Sequence, residues 1–465
     1  MLPFLDSLND LKEKITEKIG LRFESWPVLI IGLLFLIISF IFMPRIVSLA
    51  LSISLFLAPI WLPLMLIGGA HRIWYVFNRS EFIAGKKYIL LEIKPPRNLV
   101  KTPIAMEAFL SSMHLTGGES TWYQRFTGGI RPFFSLEIAS FEGKTHFFIW
   151  TRADFRRLIE SQMYAQYPGA QIIEVPDYSR VISADQKEWV IWGCDFKHTA
   201  LAPLPIKTYI EYGLDKVQEE PEQVDPLANL VEFMGSIGKG EYIWLQFIIR
   251  AHKGEKYGVR PGANVSSRLN EKGKPYTWID EAEELIGEIR KKTRDPYVDP
   301  ITGEERPGFP NPTKGQSEKI AAMERNVSKL AFDVGARGIY LAKQENFHGP
   351  TVGHLIALFK PFSTEGWNGI NSTGWMKKFD DYPWEIGVEK EKELYRRKMI
   401  EAYRRRQFFY DPFFKGQVFP SDPKSMVMST EELATIYHIP SRSVESPSLG
   451  RIQSATGEAP SNLPT

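Results

Sequence analysis

The chain has 465 residues, 43% hydrophobic and 24% charged, which is enough for two or three domains with ordinary cores and excludes a largely disordered chain. Its formal net charge of +2 gives no global electrostatic case for a nucleic acid or an acidic partner, so any basic surface must be local. The single cysteine, Cys194, lies in an apolar run; it excludes an intramolecular disulfide and a cysteine-based zinc site, and reads as a buried thiol compatible with a reducing compartment.

Residues 1–25 predict an amphipathic, interfacial helix. Phe4, Leu8, Leu11, Ile15 and Ile19 recur at helical spacing, with Lys12, Glu13, Lys14, Glu17 and Lys18 between them. Residues 26–72 predict a transmembrane helical hairpin. Two uncharged runs, from Trp26 to Pro44 and from Ile46 to Ala70, are separated by Arg45, and each is near the roughly 20 apolar residues that cross a bilayer. Trp26, Trp61 and Trp74 near the ends argue against a hairpin buried in a soluble core. Pro59 and Pro63 kink the second run and keep a re-entrant hairpin open. The apolar stretch starts late and carries no small-residue cleavage site, so retained anchors fit better than a signal peptide. Lys12, Lys14, Lys18 and Arg22 before the runs, and Arg72, Arg79, Lys86 and Lys87 after them, place both termini in the cytoplasm.

From Tyr88 the pattern alternates between strands and helices. A strand at 88–94 is followed by a helix from Thr102-Pro103 to about His114. A hairpin turns at Glu142-Gly143. A helix begins at Thr151 and Asp154, a capping-box variant, and a strand follows at 170–175. The order β-α-β-β-α-β predicts a ferredoxin-like unit over 86–180. A second, decorated copy is expected over 186–362. It has strands at 188–195, 206–212 and 241–251, a helix capped by Asp225-Pro226, a large insertion at 253–315, a helix at 316–333, a strand at 336–343 and a helix from Pro350 to Lys360. Residues 363–440 read as a helical C-terminal region, and 441–465 as a disordered tail rich in Ser, Pro and Gly. The fold class is therefore α+β: a transmembrane hairpin, then tandem ferredoxin-like domains.

No catalytic constellation emerges. The stretch 235–240, GSIGKG, lacks the P-loop glycine, because Phe233 stands there, and the following hydroxyl, because Gly240 does. The eight histidines form no HExxH motif and no metal set. There is no G-x-S-x-G elbow and no dinucleotide fingerprint, so neither an enzyme nor a cofactor is expected. The most distinctive charge feature runs from Glu389 to Phe409, with acids at its front and Arg396, Arg397, Lys398, Arg404, Arg405 and Arg406 behind. A solvated helix stabilised by i,i+4 pairs explains it; the alternative is a contact strip for anionic lipid, nucleic acid or an acidic partner.

The stretches YAQYPGAQIIEVPDY (164–178), GARGIYLAK (335–343) and STEELATIYHIP (429–440), with PSLGRIQSATGEAPSNLP after them, resemble the region that precedes the motor in conjugative type IV secretion ATPases and related HerA/FtsK-type DNA translocases. The resemblance covers most of residues 80–465. The family's P-loop and acidic ATPase motifs are missing from these residues, so the activity does not carry over. The resemblance implies a non-catalytic subunit of a type IV secretion or conjugation-like apparatus, multi-pass in the bacterial inner membrane and oligomeric. Its partners would be the lipid bilayer and a separate P-loop ATPase, docked through Glu431, Glu432, Tyr437, His438 and Pro440. Two other classes stay open: a membrane-tethered nucleic-acid-binding protein contacting DNA, and a membrane hydrolase with a dispersed site.

Overall fold

A computed structural model describes residues 41–96, 99–182, 188–216, 225–253, 276–298, 305–379, 388–410 and 425–441, with isolated positions 32, 34, 35, 38 and 270. The predicted interfacial helix, most of the first apolar run and the tail after Ser441 lie outside the described residues.

The second apolar run forms α1, Pro44–Ala84, one helix of 41 residues with Pro59 and Pro63 inside it. It passes the expected boundary at residue 72, because no proline or turn sequence intervenes before Gly85, whose N–H bonds Glu81 O at 2.8 Å. Before it, helical positions are described at Gly32, Leu34, Phe35, Ile38, Ile41 and Phe42, and Met43 leaves helical geometry at φ −135°. The hairpin itself is not established by these positions.

The remainder is a mixed α+β fold on one antiparallel sheet. Its first half contains β1 (Tyr88–Lys94), α2 (Ile104–Ser112), the short α3 (Trp122–Phe126), β2 (Phe133–Phe141), β3 (Lys144–Arg152), α4 (Arg156–Gln166) and β4 (Gln171–Val175). The second half contains β5 (Trp189–His198), α5 (Pro226–Gly235) and β6 (Glu241–Ala251). The insertion contributes α6 (Trp278–Lys292) and the hairpin β7 (Arg294–Val298) and β8 (Glu305–Pro310). Then follow α7 (Lys314–Ser328), β9 (Ala331–Lys343), α8 (Gly349–Ala357) and β10 (Ile370–Thr373). The chain ends its described course with α9 (Val388–Arg404), β11 (Met426–Ser429) and α10 (Thr430–Ile436).

The strand order is β10-β5-β9-β6-β2-β3-β1-β4, with β11 paired to β9. The same order holds in both halves: the first strand lies between the fourth and the third, and the second strand is outermost. Those two outermost strands, β2 and β6, pair with each other from Phe133↔Arg250 to Phe141↔Tyr242, so the two predicted domains share one sheet. The strands of both halves thus lie in one continuous sheet. Joining covers two edges that would otherwise expose unpaired backbone groups.

Other expectations also shift. Residues 206–212 form turns rather than a strand: Ile206 N and Tyr209 N donate to Glu432 and Thr435 side chains instead of a ladder. Thr151 pairs with Ile89 as part of β3, and a 3₁₀ turn at Ala153–Phe155 leads into α4 without a side-chain cap. The region 363–440 is not simply helical, because β10 and β11 both join the sheet.

Alternation along the strands gives the sheet two apolar faces. One holds Leu91, Phe134, Leu136, Phe147, Cys194, Leu245, Phe247 and Tyr340, together with core residues of α2, α4, α5, α8 and α10. The other holds Phe148, Trp150, Ile191, Trp244, Ile248, Ile339 and Leu341 against Met399, Ile400 and Tyr403 of α9. Across this second face one register row runs Asp195, Arg337, Gln246, Glu137, and all four side chains are buried.

Candidate functional site

The first part of α1, Pro44–Ile67, is 24 residues long with none of its apolar window buried. At 1.5 Å per residue it is about 36 Å long, which exceeds a hydrocarbon core of about 30 Å. By length and composition it is a candidate membrane span.

The root of this helix is clipped to the sheet domain by a small aromatic element. Thr121 begins α3 with a capping box: its hydroxyl accepts from Gln124 N at 3.2 Å, and Gln124 Oε1 accepts from Thr121 N at 3.2 Å. This closed cap stabilises five residues that could not hold a helix alone. Asn78 of α1 donates from Nδ2 to Phe126 O at 3.0 Å. Gly128 then turns away at φ +83°, where an added Cβ would lie 2.3 Å from Asn78 O, so only glycine fits. The Phe126 ring bridges Trp74, at 5.9 Å between centroids, and Trp122, at 5.2 Å. Trp122 and Tyr123 remain 68% and 67% exposed. One residue past Asn78, the Arg79 guanidinium lies over the rings of Tyr75 and Tyr410 at 5.1 and 5.0 Å.

A groove of about 540 Å³ opens beside the end of α1, between β1, β4 and residues 404–410. Ile83, Tyr88, Trp150 and Phe408 make its apolar wall, and Lys86, Arg180 and Arg405 share its rim with Glu174 and Asp177. The six basic residues singled out from the sequence have different surroundings. Arg396 and Arg397 pair with Glu393 at 3.8 and 3.2 Å, and Arg405 pairs with Glu401 at 3.3 Å. Arg404 donates to Ser179 O at 2.9 Å and to Ile182 O. Lys398 is half-buried.

Arg406 is withdrawn entirely, which corrects its assignment as a surface contact. It ends α9 in the left-handed region at φ +49°. Its N–H bonds Tyr403 O at 3.0 Å, and Gln407 N bonds Ala402 O at 2.9 Å. This is a Schellman turn with arginine where glycine is usual. Its guanidinium spans Glu137, at 2.9 and 3.1 Å, and Asp177. Glu137 also accepts from Ser135 Oγ at 2.6 Å, Tyr178 OH at 2.7 Å and Gln246 Nε2 at 3.1 Å. Burial pushes Asp177 upward, but Arg406 and Ser179 outweigh it and hold the carboxyl below its ordinary value. For Arg406 burial acts downward, and Glu137 with Asp177 raise it well above the ordinary guanidinium value. The cluster is a charged, hydrogen-bonded anchor joining α9, β2, β6 and the turn after β4.

The residues assigned to motor docking are also interior, a second correction. Glu431 bonds Thr208 Oγ1 at 2.6 Å and pairs with Lys329 at 2.8 Å. Glu432 completes a capping box with Ser429 and accepts from Ile206 N at 3.0 Å; burial raises its carboxyl to about 8. Tyr437 donates to Phe148 O at 3.0 Å, and His438 Nε2 lies 3.0 Å from Asp225. Pro440 is buried with them. Leu433, Ala434, Ile436, Tyr437 and Ile439 surround the helix with apolar groups, a pattern that marks a buried element rather than a docking face. The T-x-x-Q cap of α3 was equally readable at Thr121 and Gln124. The partnership of Glu137, Asp177 and Arg406 had no local signal.

Among the described residues, no group of three or more His, Cys, Asp or Glu could hold a metal ion. A family model described as a domain of unknown function, DUF8128, matches residues 80–451, from the last turn of α1 through the sheet. A search of curated proteins finds no match.

Proposed function

The chain belongs to the DUF8128 family, and from that premise we propose that it is a membrane-anchored, non-motor platform of a translocation apparatus akin to type IV secretion or conjugation systems. The observation that carries this reading is the bare 24-residue apolar segment of α1, which continues as one helix to a root clipped to α3 of the sheet domain. Such a helix transmits the position of the bilayer to the domain, which a flexible tether would not.

In this reading the sheet lies at the cytoplasmic face of a bacterial inner membrane. Its two halves are ferredoxin-like units joined at β2 and β6, a reading supported by their repeated strand order. A separate P-loop ATPase supplies the motor. The segment 429–440, whose sequence resembles the approach to such motors, acts as a core element that fixes where the chain leaves the sheet; Ser441 lies against Leu99 O at 3.5 Å. Motor contacts therefore belong to the outer surface of the sheet domain or to residues after Ser441. The basic residues of α9 are largely matched by neighbouring acids or backbone carbonyls, which favours this reading over direct DNA binding.

Purification of the tagged full chain from detergent-solubilised native membranes, followed by quantitative mass spectrometry, tests it. One P-loop ATPase should be enriched in proportion to the bait. Recovery of the chain in oligomeric form with no ATPase would remove the platform function while leaving the anchor standing.

A further inference from the structure

The aromatic cluster at the root of α1 is unexplained by a single membrane-spanning helix. Trp122 and Tyr123 are among the most exposed aromatic side chains of the sheet domain, yet their short helix is fully capped and clipped to α1. Trp74 follows Ile67 by seven residues, which places it about 10 Å beyond the apolar segment along the axis. Phe126 connects Trp74 to Trp122, so an aromatic surface leads sideways from α1 onto the domain. Arg125 of the same helix is exposed beside it.

We propose that Trp122 and Tyr123 are a second membrane contact, inserted at the headgroup level of the leaflet from which α1 emerges. Tryptophan and tyrosine favour this zone because an apolar ring and a polar tip are satisfied together there, while an arginine alongside meets lipid phosphate. One helix leaves a domain free to rotate about its axis. A helix with a clipped aromatic shoulder fixes which side of the sheet faces the membrane. The inference rests on the membrane reading of α1 and adds to it a defined orientation.

The test uses the full chain reconstituted into mixed phosphatidylcholine and phosphatidylglycerol vesicles. Cys194, the only cysteine, is buried, so a Tyr123→Cys variant accepts one environment-sensitive fluorophore, and Val181→Cys, at an exposed site of the domain, serves as the reference. Flotation of the vesicles reports anchoring independently. The label at 123 should lose most of its emission to a quencher carried near the lipid headgroup and little to aqueous iodide, with the reverse at 181. Floating protein whose label at 123 responds to iodide like that at 181 would overturn the second contact and leave the anchor intact. A label at 123 shielded from both quenchers would also overturn it, because protein would then cover the shoulder. Failure to float would remove both readings.

Discussion

Arg406 Nε lies 2.9 Å from Glu137 Oε1, and neither side chain is reached by solvent. The two residues are 269 positions apart. Their pairing fixes the end of α9 over the seam where β2 meets β6, so the helix that covers one face of the sheet is registered against both halves at once. The left-handed backbone at Arg406 is held by this charge pair rather than by an intrinsic preference.

Removing one partner leaves a buried charge with incomplete compensation. Glu137→Ala should therefore destabilise the full chain in detergent micelles by about 3–5 kcal/mol in denaturant unfolding. Arg406→Ala should be worse than Arg406→Gly by about 1 kcal/mol, because glycine alone relieves the positive φ. Equal stability of the two Arg406 variants would show that the backbone there is not strained.

Asp225 and His438 predict a defined pH dependence. Burial pushes the His438 ring down, but Asp225 and the carbonyls of the preceding turn raise it above its ordinary 6.5. Burial pushes Asp225 up, and His438 with Leu227 N bring it below 3.8. The histidine contribution is present below 6.5 and lost as pH rises through the raised value. The aspartate contribution is present above 3.8 and lost as pH falls through the lowered one. The Tm deficit of His438→Gln should therefore be largest between 3.8 and 6.5 and shrink on either side; a deficit flat across pH would contradict the pairing.

Gly128→Ala forces a Cβ to within 2.3 Å of Asn78 O at a positive φ. About 1 kcal/mol of backbone strain adds to the clash, and the clip between α1 and α3 should open. Hydrogen exchange should show lost protection at 121–129 with the sheet unchanged. Unaltered exchange there would mean that the clip does not hold the root of the helix.

Gly335 meets the Phe408 ring, where an added Cβ would sit 2.3 Å away. Gly335→Ala should cost about 1–3 kcal/mol by overpacking and displace Phe408 from the wall of the groove. The readout is unfolding of the full chain together with altered exchange at 405–410; an unperturbed Tm would show that this wall can yield.

Local chemistry was readable and long-range pairing was not. The Glu142-Gly143 turn, the Asp225 cap on Leu227 and the Ser429 cap each depend on neighbours within four residues, and each stands in the structure. The alternation of strands and helices marked β1 to β4, and in the second half β5, β6 and β9 but not β10. It could not reveal that β2 and β6 pair, because an outermost strand has the same sequence pattern whether its far edge meets water or another strand. Residues 206–212 alternate like a strand, yet the side chains of α10, more than 200 residues later, capture their backbone. Charge misled most at Arg406: a run of arginines looks solvated until a carboxylate from a distant strand is brought against it.

Density-gradient flotation of the full chain with native membranes after alkaline extraction tests the anchoring of α1 most directly. The full chain should float with lipid after extraction, and a variant lacking both apolar runs, residues 26–67, should lose that retention. Release of the full chain into the supernatant as a soluble, monodisperse protein would contradict the membrane placement and every orientation built on it.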